Sequence, residues 1–356
     1  MTDILVIGGG IAGLSAAARL SEDAQVTVIE AETALGYHAS GRSAALIEQN
    51  YGAPSVQALN RASVDFLQDG GYLSPRGLMI IAQAHERAAY EQDIATLGTT
   101  PITIEEACAF VPVLDREKLA FAAYHEDAQD IDTDLLLQDF ARTLRQNGGT
   151  VIPGSRVNAI VRENGCWHVS AGDRTEVAPT LVNAAGAWAD QVAQMAGVAA
   201  LNIVPHRRSM ARIPAPGGHD VSTWPMFFGV NESWYAKPDA GHLLVSPADE
   251  DPVAPHDAWA EDLTLAQGLA LYEEMVTEPV TRLQSSWAGL RSFAPDRSLV
   301  LGREPAMPEF IWCAAQGGYG MQTAPAASRL LADIVLGRSS ELDPETRAAL
   351  TPDRLR

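Results

Sequence analysis

The sequence predicts an α/β protein whose parallel-sheet part is assembled from separated stretches of chain and interrupted by a strand-rich α+β part. Three observations predict it. First, the apolar run Asp3-Ile4-Leu5-Val6-Ile7 leads into Gly8-x-Gly10-x-x-Gly13, a helical stretch follows, and Val26-Thr27-Val28-Ile29 ends on Glu30. Second, the chain returns twice to a glycine-rich strand-to-helix corner, at 183–187 and at 317–323. Third, strand patterns dominate between about 204 and 292.

Each part of the first signal has a physical task in holding a dinucleotide. Gly8 makes the tight turn, Gly10 lets backbone approach a pyrophosphate, and Gly13 lets helix and strand pack closely. The helix N-terminus offers free N–H groups and a positive dipole to phosphates. Glu30 follows Gly13 by 17 residues, at the end of the second strand, where a carboxylate accepts from both ribose hydroxyls. Strand, glycines, helix, strand and acid in this order give a Rossmann-like nucleotide site.

The elements follow in order. Strands are expected near 3–8 and 25–30, around a helix near 11–21. The stretch Gly36–Ala45 is small, glycine-rich and irregular. A helix is expected near 55–69 and a strand at Leu78–Ala82. Thr103-Ile104-Glu105-Glu106 fits a capping box, which makes both acids helix-start residues. The segment Asp130-Ile131-Asp132-Thr133-Asp134 is expected to open a helix that stops at Gly148-Gly149, its acids suiting the N-terminal dipole. Short strands fill 150–183. One helix near 263–277 interrupts the strand-rich region, and the chain closes with the strand Phe310–Ala315, a glycine loop and a helix to about Leu336. The expected division is 1–75, 136–205 and 295–345 for the nucleotide-binding domain, 76–135 and 206–294 for the substrate domain, and 346–356 for a tail.

A formal net charge of −20 works against nucleic acid or an anionic membrane surface as partner. Local positive field must therefore come from a few placed arginines. Cys108, Cys166 and Cys313 lie far apart and match no metal spacing; each reads as a small apolar residue, in keeping with a reducing compartment. The nucleotide motif starts within the first eight residues, and no apolar run is long enough for a transmembrane segment, so a cytoplasmic protein is expected.

There is no second Gly-x-Gly-x-x-Gly, hence no obvious site for a nicotinamide partner. One dinucleotide without a second suggests a flavin reduced directly by an organic substrate. Several longer motifs then stand out: Gly36-Tyr37-His38 through Gly41-Arg42-Ser43-Ala44-Ala45, Leu73-Ser74-Pro75-Arg76, Val182-Asn183-Ala184-Ala185-Gly186-Ala187-Trp188, Tyr235-Ala236-Lys237-Pro238, Trp287-Ala288-Gly289-Leu290-Arg291-Ser292-Phe293, and Ala315-Gln316-Gly317-Gly318-Tyr319-Gly320. On these the chain resembles, nearly end to end, the flavin amine oxidoreductases that include D-amino acid oxidase, glycine oxidase and sarcosine oxidase. It looks most like bacterial D-amino acid dehydrogenases of the D-arginine dehydrogenase type.

The resemblance implies FAD held without a covalent link, a small-molecule amino acid as substrate, and a quinone, dye or O2 as electron acceptor. It extends the cofactor contacts from Gly8, Gly10, Gly13 and Glu30 to Ile11, Ala12, Ala31, His38, Ser40, Gly41, Arg42, Ser43, Ala44 and Ala45. Later in the chain it adds Val157, Ala184, Ala185, Gly186, Trp188, Gly289, Arg291, Gly317, Gly318, Tyr319, Gly320, Met321 and Gln322. Amides around Gly318 would stabilise charge on the reduced ring. Arg208 and Arg291 match the two arginines that bind the substrate carboxylate, a task suited to a planar fork that stays charged when desolvated. Adjacent Arg207 points elsewhere if this segment is a strand. Tyr51 and Tyr235 match the tyrosines that close the pocket; the polar turn around Tyr51, with Gly52 as hinge, is expected to be a mobile lid.

Two positions depart from the D-arginine dehydrogenase pattern. Leu78 stands where those enzymes carry a carboxylate for a cationic side chain, and Leu46 where they carry a histidine. Both changes make the pocket more apolar. Glu48 lies nearby and either restores a cation site or faces water. The implied reaction is oxidative deamination of a D-amino acid with an apolar or small polar side chain. A hydride leaves Cα for flavin N5, and the imine then hydrolyses to a 2-oxo acid and ammonia. Alternatives are a secondary amine such as an N-methyl or cyclic amino acid, and a 2-hydroxy acid.

Overall fold

The computed structural model describes residues 2–356. Its central sheet has six strands in the order Val300–Glu304, Met307–Ala314, Thr180–Asn183, Ile4–Ile7, Val26–Ile29, Thr150–Ile152. All neighbours run parallel except the antiparallel pair Val300–Glu304 and Met307–Ala314. Ile4–Ile7 lies inside the sheet with every side chain buried. Ile4 and Val6 pack on one face with Val28, Val182 and Leu330, while Leu5 and Ile7 pack on the other with Leu181, Phe310 and Trp312. A strand covered on both faces reads as an unbroken apolar run. Helices Ile11–Leu20 and Gly320–Leu336 cover the first face; the antiparallel sheet Val157–Glu163, Cys166–Ala171, Arg174–Ala178 covers the second.

The inserted part is built on an eight-stranded mixed sheet. Its order is Ser285–Phe293, Val204–Pro214, His242–Ser246, Tyr235–Asp239, Met226–Gly229, Leu78–Ala82, Phe121–His125, Thr100–Ile102. Only the Met226–Gly229 and Leu78–Ala82 neighbours are parallel. The discontinuous parallel part and the inserted strand-rich part are thus those expected from the sequence. The boundaries need adjustment: helix Thr133–Gln146 runs through 135/136 and strand Val204–Pro214 through 205/206, so we place those divisions in the preceding loops. The C-terminal tail 346–356 is packed on the rest: Leu350 is buried, and Arg354 pairs with Asp296 and Arg356 with Glu304.

Most local expectations hold. Thr103 accepts from the Glu106 N–H while the Glu106 carboxylate accepts from the Thr103 N–H, closing the capping box. The acids at 130–134 divide their tasks. Gln129–Ile131 is a short strand, Asp132 caps the helix by accepting from the Leu135 N–H, and Asp130 binds Arg76 and Lys237 instead of a helix dipole. The helix expected over 263–277 spans Asp262–Glu273. It stops early because the Thr277 N–H donates to the Val113 carbonyl and Val276 bridges Leu114.

Candidate active site

A cavity of about 300 Å³ runs along the carboxyl ends of the parallel strands. Its wall starts at the glycine turn. Gly8 has φ +111°, and a Cβ there would sit 2.3 Å from the Ala184 carbonyl oxygen. A Cβ on Gly13 would lie 1.9 Å from the Gly8 carbonyl oxygen, so helix and turn touch where only hydrogen fits. The Ser40 hydroxyl accepts from the Ile11 N–H at 2.9 Å, securing the irregular loop to the helix N-terminus. Glu30 is buried, its two oxygens accepting from the Gly9 N–H at 2.5 Å and the Glu32 N–H at 2.8 Å.

Most of the expected cofactor contacts line this cavity: Gly8, Gly10, Ile11, Ala12, Glu30, Ala31, His38, Ser40, Arg42, Ser43 and Ala44 from the first stretch. Val157, Ala184, Ala185, Gly186, Trp188, Gly289, Arg291, Gly317, Gly318, Gly320 and Met321 join them from the later ones. Five do not line it. Gly13 lies under the turn, and Gly41 closes the loop by donating its N–H to the Gly36 carbonyl at 2.6 Å. Tyr319 is buried between Tyr51 and Phe293, with ring centroids 5.4 and 6.0 Å away. Ala45 and Gln322 line a second cavity of about 110 Å³.

The residues present fit a flavin dinucleotide. Close-approach glycines and the N-terminus of Ile11–Leu20, whose Ala12 and Gly13 N–H groups have no protein partner among the described residues, stand at one end. At the other, the Ser292 hydroxyl and the Gln316 amide nitrogen are buried without partners in residues that line the cavity. The helix Gly320–Leu336 begins there too.

The second cavity adjoins the first; Ser43, Ala44, Arg208, Tyr235, Arg291, Gly318 and Met321 line both. It brings together every expected substrate residue: Arg208, Arg291, Tyr51, Tyr235, Leu46, Glu48, Leu78 and Gly318. Strand register explains the arginine pair. Arg208 stands opposite Gly289 and His206 opposite Arg291, so the two arginines lie on adjacent strands, two residues out of register, and share a face. Arg207 alternates to the opposite face and binds Asp249, Asp251 and Glu261, as expected. Arg208 is only 8% exposed; its Nε donates to the Asp249 carbonyl at 2.9 Å, and its Nη1 has no hydrogen-bond partner. Burial works against the Arg291 charge, but the Tyr51 and Tyr235 hydroxyls and the Glu232 carboxylate more than offset it, leaving its pKa above the usual guanidinium value. A Cβ on Gly318 would come within 3.0 Å of that guanidinium, so glycine is what lets the loop cross it. Burial, with Glu232 beside it, pushes the Tyr51 hydroxyl well above the usual tyrosine range and keeps it protonated.

The turn around Tyr51, expected to be a mobile lid, is tied to the helix that follows it. Gln57 donates to the carbonyls of Asn50 and Gly52, and Asn60 to those of Glu48 and Tyr51, at 2.9–3.2 Å. Four bonds from helix Pro54–Asp69 pin the turn's backbone. Glu48 does not face water. It is 4% exposed, with Oε2 2.6 Å from His125 Nδ1 and Oε1 accepting from the Asn50 N–H.

Leu97, Met226, Phe228 and Glu232 complete the second cavity and escaped the sequence reading. Glu232 sits after Gly229 in a turn where Asn231 and Glu232 both have positive φ. It accepts from the Tyr51 hydroxyl at 3.3 Å and lies 3.9 Å from Arg208. The one sequence signal for it was Asn-Glu-Ser directly following a strand.

Comparison with known proteins decides the family. The profile of DAO, described as FAD dependent oxidoreductase, matches residues 3–334. The chain belongs to this family. It is a member of the FAD-dependent oxidoreductases, and FAD is its cofactor. FAD-dependent oxidoreductase domain-containing protein 1 of Bos taurus is 24% identical over 94% of this chain and 81% of its own length. The glycine oxidase of Pseudomonas aeruginosa is 26% identical, with 96% of each chain covered. Among solved structures, L-proline dehydrogenase from P. horikoshii superposes with a TM-score of 0.84 at 22% identity, covering 99% of this chain and 97% of that one. No helix among the described residues is long and apolar enough to cross a membrane.

Proposed function

We propose that this FAD-dependent oxidoreductase acts on an amino acid, specifically a D-amino acid with an apolar or small polar side chain, converting it to a 2-oxo acid and ammonia. The observation that carries the reading is the convergence of Arg208 and Arg291 with Tyr51 and Tyr235 where the two cavities meet. An arginine pair with a free donor in a net-acidic protein calls for an anionic ligand group, and a carboxylate matches the guanidinium fork. Leu46, Leu78, Leu97, Met226 and Phe228 make much of the remaining wall apolar, with Glu48 and Glu232 as its acids. The likeness to a glycine oxidase supports an amino acid as substrate. The Tyr235–Pro238 and Trp287–Phe293 motifs, through their resemblance to D-amino acid dehydrogenases, argue for a primary amine, and the likeness to an L-proline dehydrogenase keeps a secondary amine as the second reading.

In this reading Arg208 and Arg291 fix the carboxylate, and the protonated Tyr51 hydroxyl turns from Glu232 to donate to it. That anchoring holds Cα at the junction of the cavities. The amine must be neutral so that its lone pair assists as Cα–H leaves, and losing one ammonium proton achieves this without a dedicated side-chain base. FAD, when bound, supplies the two-electron acceptor for the hydride. Buried Tyr235 and the pinned Tyr51 turn exclude water from the junction, and the released imine is hydrolysed after it leaves.

The test is anaerobic bleaching of the bound flavin by paired D- and L-amino acids, with proline, sarcosine and 2-hydroxy acids alongside. Fast reduction by a D series supports the proposal. Reduction by L-proline or sarcosine alone favours the secondary amine, and no bleaching by any amino acid overturns the reading.

A further inference from the structure

The second cavity has two polar ends. One is the arginine pair, on the first two strands of the eight-stranded sheet. The other is Glu48, held against His125, whose strand Phe121–His125 is seventh in the same sheet. Between them the wall is apolar: Phe228, Met226 and Leu78, with Leu97 and Leu46. Leu78 stands in register with His125 on one side and Met226 on the other, so the three mark one level of the sheet beside Glu48. A ligand clamped by its carboxylate at the arginines therefore directs its side chain along apolar surface toward a buried carboxylate.

We infer that Glu48, positioned by His125, selects substrates whose side chain is short and ends in a neutral hydrogen-bond donor, a hydroxyl or an amide. This deepens the proposed function and rests on it. Each Glu48 oxygen already has one partner, His125 or the Asn50 N–H, yet a carboxylate oxygen accepts more than one bond. An acceptor therefore remains for a donor in the cavity. A neutral donor is the better match than an ammonium. Both Glu48 oxygens already hold a hydrogen-bonded partner, so an ammonium placed there would lose its hydration without a carboxylate of its own. A wholly apolar side chain leaves the buried acceptor facing hydrocarbon, which is unfavourable. At about 110 Å³ the cavity is small beside the first, about 300 Å³, which favours a short side chain. Apolar walls alone discriminate weakly, whereas a site built to take a hydrogen bond rejects analogues that lack the donor.

The experiment uses the FAD-loaded enzyme and three amino acids in whichever configuration bleaches the flavin: homoserine, norvaline of the same shape without the donor, and ornithine with a charged donor. Wild type is expected to reduce with homoserine at least about tenfold faster, as kcat/KM, than with norvaline or ornithine. Glu48→Leu should bring the homoserine-to-norvaline ratio to one or below. His125→Phe should lower that ratio and His125→Gln restore it, with the flavin spectrum reporting an intact fold. A wild-type ratio near one, a ratio that Glu48→Leu leaves within threefold, or ornithine ahead of homoserine would overturn the inference. None of those results touches the reading of the reaction, which is tested by which amino acids bleach the flavin at all.

Discussion

Replacing Arg291 with methionine tests the carboxylate clamp most directly. Methionine keeps the length and much of the apolar stem while removing the planar fork. Among the described residues Arg291 makes no ion pair within 4.0 Å, and the nearby Glu232 keeps Arg208 at 3.9 Å when Arg291 is lost. What the loss strands is the substrate's carboxylate. Removing one partner of a buried, hydrogen-bonded charge pair costs about 2–5 kcal/mol. That corresponds to a fall in kcat/KM of roughly thirtyfold to several thousandfold. Arg208 keeps the loss from exceeding that range, because its Nη1 remains available to the carboxylate. The assay is stopped-flow flavin reduction by the best amino acid, across substrate concentrations, with the visible flavin spectrum and thermal midpoint as fold controls. Most of the loss should fall on KM if the clamp acts equally in ground and transition states. Arg291→Lys should recover part of it. A kcat/KM within about threefold of wild type, under ~1 kcal/mol, would refute the anchoring role.

Gly13→Ala puts a methyl 1.9 Å from the Gly8 carbonyl oxygen; it should destabilise the protein by about 1–3 kcal/mol and weaken FAD retention, measured by thermal melting and flavin release on dilution. Burial pushes the Cys313 thiol up to about 12, so a thiol reagent at pH 8 should label the more accessible Cys166 in the native protein and reach Cys313 only after unfolding. Burial raises the pKa of Glu304, but the opposing bonds from Arg356 and the Trp312 indole N–H leave it below the usual carboxylate value. A depressed folded pKa adds stability above the unfolded pKa that is lost as pH falls through the folded one. Glu304→Gln should therefore cost about 1–2 kcal/mol in denaturant titrations at pH 7, and the gap should close below about pH 4; a gap independent of pH would refute the assignment.

How much of this was legible in the sequence depends on whether a residue acts through its own backbone or through a distant partner. Gly8, Gly10 and Gly13 were legible because a tight turn and a close approach demand glycine locally, and Thr103 with Glu106 because a capping box closes within three residues. The direction of Arg207 and Arg208 followed from period-two alternation once the segment was taken as a strand. Glu232 was not legible. Its importance comes from two consecutive left-handed residues that turn it toward Tyr51 and Arg208, and nothing local but a polar tripeptide announces that. Phe228 and Met226 were legible as strand but not as pocket, because the face a central strand gives to a cavity is set by its neighbours.

The Tyr51 turn and Glu48 show the same limit from the other side. Glycine and polar residues suggested a hinge, but mobility depends on whether the turn's carbonyls find donors. Here Gln57 and Asn60, one helical turn apart on the next helix, supply them. Glu48 in isolation is an acid beside a turn, with water as its default neighbour. His125, far away in sequence, makes its burial tolerable, and burial turns the acid from a surface charge into part of the cavity wall. Had His125 been apolar, the Glu48 carboxylate oxygen beside it would have lost its partner in the cavity wall. The residues that distinguish this pocket from an apolar one are therefore a pair, and only the fold reveals the pairing.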